Sequence, residues 1–221
     1  NGTQADAESN YKGYVLAMVH TTSANGYKGE YYMFASFKSE CRERGTQILK
    51  AATPEGPFMP ISDGPVTPPE WSCLDGTFYL EDEIPYMIFC HEWTQIVDGE
   101  MCVVRLSDDL THAVGEPRTL FKASDMPSVK NQVENGYVTD GPFLYRECGK
   151  IKMLWSSFYN GRYLVLEAWS DTLNGKWQHS VSRFDFDGGH AMLFDTLDGT
   201  KMISLHSPNK ANFERAVFYQ L

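Results

Sequence analysis

Three stretches of the chain repeat one layout, and this repetition restricts the fold more than any other feature. LDGTFYLEDEIPYMIF from Leu74, TDGPFLYRECGKIKMLW from Thr139 and GGHAMLFDTLDGTKMISL from Gly188 share it. Each leads with a polar residue, runs through a first apolar strand, turns at a polar hairpin tip and continues into a second apolar strand. Measured to the close of that second strand, the chain advances 14 residues from Asp75 to Phe89, 15 from Asp140 to Trp155 and 15 from His190 to Leu205. A fainter copy runs from AMVH at 17 to 20, through the tip NGYKGE, to YYMFASF. After the second strand, TQILKAATPEGPF, CVVRLSDDLTHAVGEP and LVLEAWSDTLNGKW each add a third strand and a turn. Short runs of β-branched and aromatic residues bounded by Gly, Asp, Asn and Pro are strand and turn chemistry. Helical periodicity is hard to find. A four-stranded repeat of roughly 50 to 65 residues has the period of propeller blades, so the expected fold class is an all-β propeller, with about four blades visible in a single domain over residues 1–221.

Composition excludes several functions. A net charge of −10 without a cluster of Lys or Arg argues against nucleic acid or an anionic membrane as partner. Apolar runs such as YVLAMV at 14 to 19 fall far short of the ~20 residues that cross a bilayer, so a soluble protein without a membrane partner is expected. The opening NGTQADAESN has no charged and apolar leader, so any signal peptide is expected to be absent or removed. Cys41, Cys73, Cys90, Cys102 and Cys148 show no metal-ligand spacing and read mostly as buried thiols, with room for one disulfide. Nothing in the composition specifies an oligomeric state.

The repeat also says where chemistry should lie. In a propeller the first strand of each blade lines the central channel. Counted as above, Asp75, Asp140 and His190 stand at equivalent strand starts and are expected to converge. Acid-Gly-Pro is by itself ordinary turn chemistry, and it occurs three times, at Glu55-Gly56-Pro57, Asp63-Gly64-Pro65 and Asp140-Gly141-Pro142. The first two follow outer strands and read as turns. Asp140 alone leads an inner strand. Paired carboxylates in an aromatic-rich channel suit glycoside hydrolysis, where one protonated carboxyl donates to the leaving oxygen and a second, ionised one activates water. No nucleophile elbow, phosphate loop or HExxH motif is present.

LDGTFY with PYMIFCHEWTQ, VTDGPFLY with KMLWSS, and GGHAMLF with LHSPN together resemble glycoside hydrolase family 43, over about Glu30 to Asn209. The resemblance implies a five-bladed propeller, of which this chain is either a piece lacking the first blade or a degenerate version. It implies an inverting glycosidase acting on oligosaccharide or polysaccharide substrates of plant origin, as an exo-acting α-L-arabinofuranosidase or β-xylosidase, secreted or periplasmic. Asp75 matches the family's aspartate that modulates the acid's pKa. Asp140 falls where the family's general acid lies, normally Glu in Glu-Gly-Pro. His190 resembles the axial His that helps hold a water-coordinated ion, so a structural calcium ion in the channel is the one cofactor implied and none is required for the chemistry. Two departures stand out. Asp at 140 is one methylene shorter than Glu, and no Asp-Pro pair supplies the family's general base; Leu16 to His20 stand where Trp-Ala-Pro and an acid are usual. The base is therefore unassigned, and a non-catalytic propeller that binds glycans or serves as a structural module is the alternative reading.

Further candidates surround these. Glu92, in CHEWTQ, reads either as a substitute donor or sugar ligand, or as a solvated strand end. Trp71, Trp93, Trp155 and Phe158 read as stacking faces for a sugar or as core, since aromatics dominate burial. His91 and His206 close second strands and read as ligands for substrate hydroxyls or as backbone-bonded residues. Asn1-Gly2-Thr3 fits a glycosylation acceptor.

Overall fold

The computed structural model describes residues 17–20, 27–129 and 136–221. The glycosylation triplet at Asn1 and Leu16 of the first-blade segment lie outside the described residues.

The strand-hairpin-strand layout predicts pairs of antiparallel strands, and these form. β1 (Ala17–His20), β2 (Tyr31–Ser39), β3 (Arg42–Ala51) and β4 (Met59–Pro60) make one sheet in that order. β5 (Cys73–Glu81), β6 (Ile84–His91), β7 (Glu100–Leu106) and β8 (Ala113–Lys122) make a second, and β9 (Asp140–Glu147), β10 (Lys150–Tyr159), β11 (Arg162–Ser170) and β12 (Gln178–Val181) a third. The last sheet, β13 (Gly189–Asp195), β14 (Lys201–Ser207) and β15 (Arg215–Gln220), has three strands. Among the described residues a short helix, α1 (Trp93–Ile96), and a single 3-10 turn (Ala123–Asp125) interrupt the strands. Within each sheet sequential strands neighbour one another, and several hairpin tips reverse the chain in two residues. Asp82-Glu83, Cys148-Gly149 and Asn160-Gly161 do so with both central residues at positive φ, the mirror-image turn whose twist matches that of paired strands.

The chain divides into two compact units, residues 1–91 with 103–118, and residues 92–102 with 119–221. The first buries Phe34, Ile48, Met87, Ile88, Phe89 and Leu106. The second buries Ile151, Met153, Leu154, Trp155, Val165 and Leu166, and against Leu154 and Val165 pack Phe184, Ala191, Ile203 and Leu205. In β10 the buried run MLWSS reaches across both faces, as expected of a strand covered on each side. Cys73, Cys90 and Cys102 are buried free thiols, whereas Cys41 and Cys148 are exposed, and no disulfide forms among the five.

One expectation needs correction. Asp140 is not in register with Asp75 and His190. Each first strand carries a bulge close to its start: Asp75 and Gly76 oppose Phe89, Gly141 and Pro142 oppose Trp155, and His190 and Ala191 oppose Leu205. The first bulge residue is at positive φ in all three, 57° at Asp75, 51° at Gly141 and 55° at His190. Asp140 therefore holds the last paired position before the bulge, opposite Ser156, where Leu74 and Gly189 stand in the other copies. Its distance of 15 residues to the second strand's end matched His190's for a different reason, since the third copy has a longer tip, residues 196–200, in place of a two-residue turn.

His179 on β12 packs its ring edge-on to Phe121 at 4.7 Å, and its Nδ1 has no hydrogen-bond partner among the described residues. Burial lowers its pKa below the ordinary imidazole value. Because the folded state takes up this proton less readily than the unfolded chain, stability present at pH 7 is lost as pH falls below about 6.5. The melting temperature is expected to drop between pH 7 and pH 5, and His179→Phe should flatten that slope; an unchanged slope would show that other groups govern it.

Candidate active site

In the second unit the motif residues meet. Asp140 opens β9 with its side chain 22% exposed, and Tyr163 Oη, from β11, donates a hydrogen bond to Asp140 Oδ2 at 2.8 Å. His190 Nε2, from β13, lies 4.0 Å from the same oxygen. The backbone N–H of His190 donates to Ser156 Oγ at 2.9 Å, which ties the start of β13 to β10, the strand paired with Asp140. His206, on β14 opposite Gly189, stacks on Tyr163 with centroids 5.8 Å apart and lies 5.3 Å from the His190 ring. Its Nε2 is 3.3 Å from Asn209 Oδ1. Burial, then the neighbouring His190, lower the His206 pKa, so this imidazole is neutral at pH 7 and hydrogen-bonds rather than adding charge.

The glycines of the two motifs have a use beyond turning the chain. A Cβ on Gly141 would lie 2.7 Å from His190 Cα and 2.8 Å from its ring, at a φ of +51° that L side chains rarely adopt. A Cβ on Gly189 would collide with the Tyr163 ring and lie 2.8 Å from Ser156 Oγ. Asp-Gly-Pro and Gly-Gly-His thus let β9 and β13 close on one another while Tyr163 reaches between them. Gly141→Ala is expected to lower kcat at least tenfold and to reduce stability by about 1 to 3 kcal/mol, since His190 has to move to make room. Assays beside thermal melts check this, and wild-type values for both would show that the close approach is not required.

The first unit places Asp75 2% exposed, with its N–H donating to Ser36 Oγ at 3.1 Å; Ser36 Oγ in turn lies 3.4 Å from Thr46 Oγ1. His91 is buried and stacks flat on Trp71, centroids 4.2 Å apart and planes within 6°. One face of Trp71 is thereby covered by protein.

The remaining candidates separate clearly. Trp155, expected as a sugar platform, is corrected: it is 0% exposed and packs edge-on to Phe121 at 5.3 Å, so its ring has no face for a ligand. Glu92 directly follows the end of β6 and is also the N-cap of α1, its carbonyl accepting from the N–H groups of Gln95 and Ile96, with its side chain making no capping bond. Trp93 is half-buried and lies against Gly136, where a Cβ would strike its ring. Phe158 is half-buried and packs edge-on to Tyr163 at 5.2 Å. Glu55 and Asp63 are exposed in turn and bend, as expected. Tyr163 was not singled out in the sequence. In NGRYLVLEAW it follows a hairpin turn and alternates with Val165, so it reads as one more core aromatic.

A half-buried carboxyl that accepts a phenolic hydrogen bond, beside two imidazoles and an aromatic wall, is suited to proton transfer with an oxygen of a polyol. Comparison with known proteins agrees. The sequence profile of Glycosyl hydrolases family 43 matches residues 17–220. No curated protein matches the chain. Among solved structures, an endo-arabinase from Bacteroides thetaiotaomicron VPI-5482 is 41% identical with a TM-score of 0.83, over 92% of this chain and 73% of that one. An endo-1,4-beta-xylanase from the same organism is 22% identical, TM-score 0.74, over 97% and 74%. A thermostable family-43 glycoside hydrolase is 19% identical, TM-score 0.77, over 93% and 70%. The last two show likeness of fold. The fold class is all-β, of the β-propeller type. From the profile match and the 41% identity together, the chain belongs to glycoside hydrolase family 43.

Proposed function

We propose that the protein hydrolyses α-L-arabinofuranosyl linkages of plant-derived glycans by an inverting acid-base mechanism, with Asp140 as general acid. The observation that carries this is the placement of Asp140 Oδ2 against Tyr163 and His190 at the start of an inner strand. Of the arabinofuranoside and xyloside substrates expected from the resemblance, arabinofuranosides draw the support, because the 41% identical structure is an endo-arabinase whereas the xylanase shares the fold at 22%. On this reading the protonated Asp140 gives its proton to the glycosidic oxygen as the bond to the anomeric carbon breaks, and water attacks from the opposite face while losing its proton to a carboxylate base that the sequence leaves unassigned. Asp75 is retained as the carboxylate that modulates the acid. Glu92, half-buried at the head of α1, and Trp93 beside it are retained as sugar-binding candidates, as are His91 and His206.

A calcium ion near His190 would act structurally. Calcium takes six to eight oxygen ligands; in the second unit the Asp140 carboxylate lies beside His190, and the His190 and His206 rings are 5.3 Å apart. Such an ion would keep most of its water, with His190 touching it through water.

Aryl α-L-arabinofuranoside and aryl β-D-xyloside, assayed side by side, test the substrate. A kcat/KM at least about tenfold higher for the arabinofuranoside is expected; a preference for the xyloside overturns the assignment. Products from linear arabinan then distinguish exo action, which gives arabinose alone, from endo action, which gives oligomers first. Arabinan binding without any turnover would favour the non-catalytic glycan-binding alternative, which the Asp at position 140 and the missing Asp-Pro pair motivate.

A further inference from the structure

We infer that Tyr163 is a positioning residue for the general acid, acting through its hydrogen bond to Asp140 Oδ2; this rests on Asp140 being the acid. The geometry carries the inference. Tyr163 is 8% exposed, so its hydroxyl is not a loose surface group. Phe158 meets the ring edge-on at 5.2 Å, His206 stacks on it at 5.8 Å, and Gly189 lets it lie closer than any side chain at that position would allow. A rotamer enclosed on these sides presents its Oη at a fixed point, and Asp140 Oδ2 sits 2.8 Å away.

A phenol at that distance donates its hydrogen, so it selects which carboxyl oxygen does what. Oδ2 accepts from Tyr163, and the transferable proton belongs on Oδ1. During the reaction the proton passes from Oδ1 to the glycosidic oxygen, and the electron pair left behind spreads over both carboxylate oxygens. The pair of the breaking bond between the anomeric carbon and oxygen goes to the protonated leaving group. The bond from Tyr163 then turns from one between neutral groups into one to a developing anion, and hydrogen bonds to charged acceptors are roughly twice as strong. An interaction stronger in the transition state than in the ground state raises kcat. The same bond compensates for the shorter side chain, because a carboxyl held by one oxygen has less freedom to turn away from the substrate. Within the unit His190 on β13 lies 4.0 Å from Asp140 Oδ2, and His206 on β14 stands beside His190.

Tyr163→Phe keeps the ring and removes the donor. The expected result is a fall in kcat of about tenfold or more with KM nearly unchanged. The alkaline limb of the kcat profile should also rise by up to about one pH unit, because removing a donor to the carboxylate makes Asp140 harder to ionise. The Asp140 carboxyl titration, followed by carbon-13 NMR without substrate, should move the same way. Where Tyr163→Phe does not fold, 3-fluorotyrosine at position 163, a stronger donor, takes its place and should move limb and titration downward. A purely structural role would lower the melting temperature and leave both in place, and that result overturns the inference. If Asp140→Asn leaves hydrolysis intact, the assignment of the acid fails instead. If Asp140→Asn abolishes hydrolysis while Tyr163→Phe changes neither kcat nor titration, only the role of Tyr163 fails.

Discussion

Asp140→Asn is expected to lower kcat on arabinan about 10²- to 10⁴-fold, the range general acid catalysis contributes, with little change in KM. The substitution keeps the shape of the side chain, so Tyr163 and His190 retain a polar neighbour and the fold should survive. What disappears is the proton. A sugar alkoxide is a poor leaving group and departs only as it is protonated, so the loss appears in the chemical step rather than in binding. A nitrophenolate departs without that help, so the same variant should lose far less on nitrophenyl arabinofuranoside. Steady-state kinetics on the two substrates checks this, and equal losses on both would mean that Asp140 serves binding or folding rather than proton donation.

Trp155→Ala should produce the largest loss of stability, about 3 to 5 kcal/mol, against a total of about 5 to 15 kcal/mol for a domain. Trp155 is wholly buried, with Phe121 edge-on at 5.3 Å and His179 at 6.1 Å. Removing the indole leaves a cavity among side chains that strands on both sides hold in place. Trp155→Phe should cost clearly less, since a ring still fills most of the space. Urea unfolding of the two variants, read beside arabinan binding, settles whether the residue belongs to the core. A stable Trp155→Ala protein with weakened binding would return it to the substrate site.

The hairpins were legible in the sequence because each combines two strong local signals, alternating apolar runs and turn residues that take positive φ. Asp82-Glu83 and Cys148-Gly149 fall where the tips were expected. The register was legible only to within one residue. A bulge adds a residue to one strand without changing the apolar pattern, and the longer tip at 196–200 offset it in the count. Counting residues therefore aligns Asp140 with His190, although its counterpart in the last copy is Gly189. Asp140 and His190 still meet, because consecutive sheets bring their strand starts together, and Gly141 and Gly189 set how closely. Trp155 and Tyr163 were not separable in advance. Both lie in apolar strands, and which of them presents a polar atom to the site depends on neighbours distant in sequence, Phe121 for one and Asp140 for the other. Glu92 shows the remaining limit: in CHEWTQ the helix residues directly follow a strong strand, and a single turn of helix is too short to give a periodic signal.

The most direct test of Asp140 as the acid is the dependence of kcat/KM on leaving-group pKa, across a series of aryl α-L-arabinofuranosides, for the wild-type protein and Asp140→Asn. Protonation of the leaving oxygen should make the wild-type slope shallow, and its loss should make the Asp140→Asn slope steep. Parallel slopes, whatever the absolute rates, would contradict proton donation by Asp140.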